Sequence, residues 1–409
     1  QDCAGGDDFD ADLDGVPLAE DCDDDNADVR PGIPDTCGSQ VDENCDSVVD
    51  ICQLSGQMLD GSNVGDEWGS ALLVGPITDS FSDQSFWVAG PGDDDSAVGA
   101  GSVMLLPFAG PDFAQPTINI VGEALADHIG TELITTEFGL GSGLSAAPEL
   151  WISSYGSDLN GHNAGAVYWL NSDPADLLAL SSDGVTVLLS DVPDRLLGNA
   201  AGDYFGWSIS SRDASDSQVL IGAPMASTGS LGLVENGTAY LFSETDLLGG
   251  TQLAQTAPHQ FIGINSGDQS ATSVGLGDVN GDGLSDAIIG SPYHSQGQYE
   301  GLVSIDLAPF GQLNLLADAE GQWRGDLPNS NIGTSIAVGD VNADGFDDVV
   351  IGAPYRDGDN GAVYVVYGPG VGSYSVAQAD ISLLPHEDHT LLGSKVWVVD
   401  LDQDGALDV

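Results

Sequence analysis

Asp278, Asn280, Asp282 and Asp286 stand at positions 1, 3, 5 and 9 of the stretch "DVNGDGLSD". Asp340, Asn342, Asp344 and Asp348 repeat the spacing in "DVNADGFDD", and Asp400, Asp402, Asp404 and Asp408 in "DLDQDGALD". Oxygens at alternate positions of a tight loop can wrap a hard cation, and Ca²⁺ takes six to eight of them. The side chains of the three loops carry −3, −3 and −4, so the carboxylates repel one another without a cation and the loops should loosen on chelation. Position 6 is Gly283, Gly345 or Gly405, where the turn needs a positive φ. A single loop of this kind could be an ordinary Asp/Asn/Gly hairpin turn. Three in register favour the cation, in a structural role, because protein oxygens fill the shell and no nucleophile or base stands beside them.

The spacings between the loops are 62 residues (278 to 340) and 60 residues (340 to 400), and other elements keep the same rhythm. "IGAP" at 221–224, "IGSP" at 289–292, "IGAP" at 351–354 and "VAGP" at 88–91 follow it. "GSVMLL" at 101, "GAVYWL" at 165, "GTAYLF" at 237, "GLVSID" at 301 and "GAVYVV" at 361 come after each. Repeats start near residues 68, 138, 205, 274, 332 and 392. Earlier repeats lack the ligand series: twelve residues before Gly90 and Gly222 stand Thr78 and Ser210, and "FGLGSGLSAAPELWISSYG" has no acidic set. Metal is therefore expected only in the later units.

Each unit holds short β-rich runs such as "SIAVGD" and "DDVVIGAP", cut by Gly, Pro, Asp and Asn turns, and helical periodicity is scarce. A unit of about 60 residues with four short strands cannot bury both faces alone, so units must stack. Radial stacking into a propeller protects the strand edges, and a linear solenoid is the structural rival. The fold class is all-β.

The amino-terminal stretch differs. All five cysteines, Cys3, Cys22, Cys37, Cys45 and Cys52, fall in the first 52 residues, as expected of a disulfide-stapled module (1–52) outside the reducing cytosol, ahead of a propeller over 53–409. An odd count leaves one thiol free, paired with another molecule, or paired with chain outside this sequence. Asp10, Asp12 and Asp14 repeat the alternate-oxygen spacing with Asp21 at the twelfth position, and Asp42, Asn44, Asp46 and Asp50 form a 1-3-5-9 set interrupted by Cys45.

Composition excludes several functions. Sixty-five Asp+Glu against six Lys+Arg give a formal charge of −59, so nucleic acid and anionic membrane surfaces are poor partners and cations good ones. A solvating, salt-adapted surface accounts for scattered carboxylates but not for ordered clusters. No run of 18 apolar residues exists, so no transmembrane segment is expected, and a start at Gln points to a processed, exported chain.

Phe-Gly, then an Asp-rich loop, then Gly-Ala-Pro resembles the FG-GAP repeat of the integrin α-subunit propeller, best in "FGWSIS…VLIGAP" (205–224), "GDVNGDGLSDAIIGSP" (277–292) and "GDVNADGFDDVVIGAP" (339–354). The resemblance covers about residues 60–409. It implies a β-propeller of four-stranded blades, usually seven, of which about six are visible here and the last is incomplete. Seven such units need about 430 residues, more than the roughly 350 from residue 60 onward, so the chain is expected either to be truncated or to complete its ring otherwise. By resemblance, position 7 adds a backbone carbonyl ligand, from Leu284, Phe346 and Ala406. Residues 7–50 resemble the bacterial Asp/Cys repeat named for the MopE protein and, more loosely, thrombospondin type 3 repeats. The MopE label implies copper, but this module has no His and no Met, and its oxygens favour Ca²⁺.

Relatives of this repeat include polysaccharide- or lipid-active enzymes. Yet His128, His162, His259, His294, His386 and His389 show no metal-ligand spacing, and no Gly-x-Ser-x-Gly elbow occurs. An exported, extracellular or cell-surface, non-enzymatic protein of adhesion is expected, binding protein or glycan, with Tyr293, Tyr299, Tyr355 and Trp323 as candidate contacts. The alternative is a structural subunit of an extracellular filament or coat that meets copies of itself. Asn236-Gly-Thr238 matches an N-glycosylation acceptor.

Overall fold

Gln218–Ala223, "QVLIGA", shows why the chain forms stacked sheets. Val219 and Ile221 pack with Trp151, Val167 and Trp169 of the preceding sheet, while Leu220 between them packs with Leu276 and Ile289 of the following one. A strand buried on both faces needs a continuous apolar run rather than an alternation. Each such side chain contributes roughly 1.5–3 kcal/mol by leaving water. Val349 and Ile351 likewise face the sheet before theirs, and Val350 the residues after.

The computed structural model describes residues 65–400 and 406–409, apart from 77–83, 95, 108–117, 123, 137–147, 182, 213–216, 248, 296–297 and 387–388. The chain divides into two units, 1–59 and 60–409, and the described residues belong to the second. That unit is a β-propeller, and five of its sheets are described. Blade 1 runs through Ala71–Pro76, Gln84–Gly90, Ser102–Pro107 and Ile118–Val121, and blade 2 through Ile129–Thr136, Glu149–Ser154, Ala166–Asn171 and Arg195–Leu197. Blade 3 is Ser208–Ser210, Gln218–Ala223, Thr238–Ser243 and His259–Ile262. Blade 4 is Ser273–Gly277, Asp286–Ser291, Leu302–Asp306 and Gly321–Arg324, and blade 5 is Ser335–Gly339, Asp348–Gly352, Val363–Val366 and Ile381–Leu383. Within each blade the four strands pair antiparallel in chain order. A sixth repeat is represented by the bridge between Val399 and Asp408.

The second blade opens at Ile129-Gly130, ahead of the Phe138-Gly139 pair taken as the repeat start, which lies outside the described residues. Gly130 has φ +85° and sits against the Ala89 and Val103 side chains, as Gly206 sits against Val167. In these two blades a glycine makes the close approach and an apolar residue precedes it, so Ile129 serves where Phe205 serves in blade 3. In blade 4 the matching position is Ala271, whose N–H donates to the Gly290 carbonyl as that of Gly206 does to Gly222, three residues before the expected start at residue 274.

Two devices tie neighbouring blades. The first is a fifth strand: Thr186–Leu188, Thr251–Leu253, Leu313–Leu315 and Gly372–Ser375 each leave their own blade to pair, in parallel, with the outer strand of the blade before. The second is a glycine at the head of each third strand. Gly101, Gly165, Gly237, Gly301 and Gly361 all have φ between +79° and +85°, and an added Cβ would lie within 2.7 Å of the backbone of Ile129, Phe205, Ser270, Ile332 and Leu392. These are the glycines that open "GSVMLL", "GAVYWL" and their kin. First strands of successive blades lie side by side, and Lys395 of the sixth repeat pairs with Glu132 on the first strand of blade 2.

Polar contacts reinforce the seams. Arg356 donates from Nε and Nη2 to the two carboxylate oxygens of Asp326 at 3.1 and 2.9 Å, joining the entry to blade 5 to the turn after its second strand, and the Tyr364 hydroxyl adds a bond at 3.3 Å. Burial by itself would raise the Asp326 carboxyl, but the hydrogen bond and charge of Arg356 outweigh it and hold the group below its ordinary value. The pair's contribution is therefore present above the unfolded carboxylate value and lost as pH falls through the lower folded one.

Two substitutions test these seams. Gly237→Ala would place a methyl 2.0 Å from the Ser270 carbonyl oxygen at a left-handed φ, and should cost on the order of 3 kcal/mol in denaturant unfolding; a loss under about 1 kcal/mol would show that the seam yields. Arg356→Met leaves Asp326 uncompensated in a partly buried site and should cost about 2 kcal/mol at neutral pH. The gap from wild type should narrow as pH falls below about 4 and close only below the lowered Asp326 value, and a gap unchanged through that range would refute the ion-pair account.

Candidate cation loops and the opposite face

The 1-3-5-9 loops of blades 4 and 5 are the connections between first and second strands, and they share one hydrogen-bond pattern. In the first, Asp278 accepts from the N–H of Asp282 at 3.0 Å and of Gly283 at 2.8 Å, Asn280 Oδ1 from Asp282 N–H at 2.9 Å, and Asp282 from Leu284 N–H at 2.9 Å. In the second, Asp340 accepts from Asp344 and Gly345 at 3.0 and 2.9 Å, Asn342 from Asp344 at 2.8 Å, and Asp344 from Phe346 at 3.0 Å. These successive turns point the ligand oxygens inward. Gly283 and Gly345 have φ of +86° and +91°, the positive value expected at position 6.

Position 9 closes each loop on the strand. Asp286 is fully buried and accepts from Val279 N–H at 3.0 Å and Ala308 N–H at 2.9 Å, while Asp348 does the same with Val341 and Gly368, both at 3.0 Å. Burial pushes the Asp286 carboxyl up to about 6 against those two N–H bonds, with the charges of Asp282 and Asp278 adding to the rise. Asp348 is raised for the same first cause. A cation among these oxygens would restore the charged form. The residues present fit a hard divalent ion: three carboxylates, one amide oxygen, and a position-7 residue, Leu284 or Phe346, standing in the same turn.

The loops also hold one another. Asp347 accepts from Asp278 N–H at 2.8 Å and returns its own N–H to the Asp278 carbonyl at 3.0 Å, and the Phe346 ring covers Gly281. Arg212, in the corresponding connection of blade 3, binds Asp347 at 3.0 Å. Where blade 3 lacks a ligand series, its side chain thus brings a positive charge to the neighbouring acidic loops.

In the third loop, Asp400, Ala406 and Asp408 are described, and Val399 and Asp408 exchange backbone hydrogen bonds at 3.1 and 2.7 Å. Asp402, Asp404 and Gly405 lie outside the described residues, as do Asp10, Asp12, Asp14, Asp21, Asp42, Asn44, Asp46, Asp50 and all five cysteines. A set not anticipated from spacing is Asp66, Asp93 and Asp94, whose carboxylate oxygens come within 4.8 Å of one another. Gly92 N–H bonds the Asp66 carbonyl at 3.1 Å, a tertiary contact that sequence spacing does not reveal. Asp66 precedes Trp68-Gly69 as Asp203 precedes Phe205-Gly206, and Asp127, Asp203 and Asp268 each accept at 2.9 Å from a backbone N–H three residues earlier. Turn closure is the recurrent role of that position.

Other singled-out residues separate clearly. Asn236 is fully buried, its amide bonded to Thr228, Gly237 and Gly263, so the sequon is closed to glycosylation in the folded chain. Trp323 is 5% exposed with Nε1 bonded to the Gly370 carbonyl, whereas Tyr293, Tyr299 and Tyr355 are 41–53% exposed. His294 is buried, with Nδ1 on Asp268 at 2.8 Å and Nε2 on Arg324 at 3.0 Å. His386 and His389 are exposed.

The connections between second and third strands, and those between blades, gather at the end opposite the cation loops. There blades 2, 3 and 4 enclose a groove of about 450 Å³ lined by His128, Tyr155, Tyr204, Trp207 and Tyr293 among others.

Comparison with known proteins accords with this geometry. Residues 270–306 and 332–366 match the FG-GAP repeat, each match spanning one complete loop. Human integrin alpha-7 is 30% identical over 226 residues, 51% of this chain and 17% of that protein, and Xenopus laevis integrin alpha-4 is 32% identical over 183 residues, 42% and 16%. Rat phosphatidylinositol-glycan-specific phospholipase D is 34% identical over 143 residues, 32% and 17%. The matched region thus spans about one-sixth of the length of these relatives. Among solved structures, the Dos1 propeller superposes with a TM-score of 0.40 at 14% identity, covering 73% of this chain and 59% of that one. The described unit is a β-propeller carrying FG-GAP repeats, similar to those of integrin α-subunits.

Proposed function

We propose that this chain is an exported, calcium-stabilised binding propeller of the cell surface or extracellular space that works in adhesion without catalysing a reaction. The observation that carries the reading is the pair of loops at Asp278–Asp286 and Asp340–Asp348, identical in hydrogen bonding, with a buried carboxylate at the ninth position of each. Ca²⁺ would supply the charge that lets three carboxylates share one turn, and the residues that hold it are Asp278, Asn280, Asp282 and Asp286, with Asp340, Asn342, Asp344 and Asp348 in the second loop. The likeness to integrins and the placement of His294 against Arg324 support a binding role.

Calcium titration of the chelated protein should release heat and raise the melting temperature, and EGTA should reverse both. Asp278→Ala and Asp340→Ala should each remove one binding event; Asp278→Ala should also speed amide exchange at Asp282 and Gly283, whose carboxylate bonds it deletes, by the roughly 1 kcal/mol such bonds are worth. An unchanged melting curve in EGTA would overturn the calcium reading. Sedimentation separates adhesin from scaffold: a calcium-loaded monomer that attaches to a foreign surface supports adhesion, and large calcium-dependent particles would replace it with a structural subunit.

A further inference from the structure

The groove opposite the cation loops has a lining unlike the rest of the molecule. Tyr155 is its centre: the His128 ring stacks on it at 5.2 Å and 6°, Trp207 lies 4.8 Å away at 54°, and Tyr204 lies 5.9 Å away. Trp207 is 37% exposed and Tyr293, on the blade 4 side, 41%. Among these rings stand neutral polar groups. Asn163 donates to the Tyr204 hydroxyl at 3.2 Å, Thr272 donates to the Gln269 carbonyl at 2.7 Å, and Gln269 itself lines the groove. Burial first, then the charges of Glu67 and Tyr204, raises Tyr155 above an ordinary phenol, so its hydroxyl stays protonated at neutral pH.

In a chain with 65 carboxylates, no Asp or Glu lines this groove among the described residues, Glu67 acting on Tyr155 from outside the lining. The net charge of −59 repels anions, and a cation-binding site in such a chain would use the abundant carboxylates. What fits is an uncharged ligand with flat C–H faces to lie on aromatic rings and hydroxyls to meet amides. Sites of this volume take ligands of small-molecule size. We infer that the groove of blades 2, 3 and 4 binds a neutral glycan, a pyranose ring stacking on the exposed Trp207 and its hydroxyls pairing with Asn163, Gln269 and Thr272. The inference rests on the binding-propeller reading and adds to it the ligand class and the face that meets it. Cation loops and glycan groove then lie at opposite ends of the blades, so calcium acts on recognition only by holding the blades together.

The test passes the full calcium-loaded chain over immobilised neutral hexose and N-acetylhexosamine oligosaccharides, with sulfated oligosaccharides, uronates and choline run alongside. At least one neutral oligosaccharide should be retained. Trp207→Ala and Tyr293→Ala, exposed and distant from each other in sequence, should each weaken retention roughly tenfold without lowering the melting temperature, and Trp207→Phe should recover most of it. Retention of no neutral oligosaccharide, equal retention by both alanine variants, or binding only of anionic sugars or choline overturns the inference. Cell-surface attachment that persists in Trp207→Ala with no glycan retained overturns the groove alone. Cleavage of a retained oligosaccharide overturns the non-enzymatic reading and the inference with it.

Discussion

Backbone meets backbone at each seam among the described blades, and that approach sets the rest. The glycine heading each third strand lets the next blade's opening residues come so close that a methyl group would overlap them. With the seam so narrow, both faces of each sheet are sealed, and the middles of second strands, Val219–Ile221 and Val349–Ile351, are apolar without a break. The connections at the two ends of the blades carry the candidate sites, with the 1-3-5-9 loops at one end and the aromatic groove and the Asp66–Asp93–Asp94 cluster at the other.

In the 1-3-5-9 loops the chain uses its own backbone as a first answer to like-charge repulsion. Each ligand carboxylate accepts peptide N–H groups of its own loop, and Asp347 bridges loops through the Asp278 backbone. That arrangement shapes the loop but adds no positive charge to it, and the Asp286 carboxyl is raised first by burial and then by the charges of Asp282 and Asp278. Blade 3 takes a different course, with Arg212 supplying covalently the positive charge its neighbours would draw from an ion.

Much of this was legible in the chain. The 1-3-5-9 spacing marked the loops because their geometry is local, and "GAVYWL" and its kin marked the seam because a glycine is indispensable there. The start of blade 2 was not legible from Phe-Gly, because Ile129-Gly130 opens that blade and Ser270-Ala271 stands at the matching place in blade 4, so the dipeptide does not define the position. The Asp66–Asp93–Asp94 cluster was invisible because a turn-to-turn contact within blade 1 assembles it, and the aromatic groove because it needs several blades. Tyr155, Trp207 and Tyr293 come from three blades, and only the closure of adjacent blades brings such residues to one place. Asn236 shows the reverse limit: a local pattern was present, but burial removes its chemical meaning.

The fifth strand that each blade lends to the one before gives the unit a mechanical character. Thr186–Leu188 lies parallel to Asn119–Val121, and the same arrangement recurs at three further seams. A pull along these strands loads the ladder in shear, so its hydrogen bonds must yield together rather than peel one at a time. The load also passes from each blade to its neighbour, through backbone bonds that involve no ion. A protein that anchors a surface against flow would be strongest along that direction.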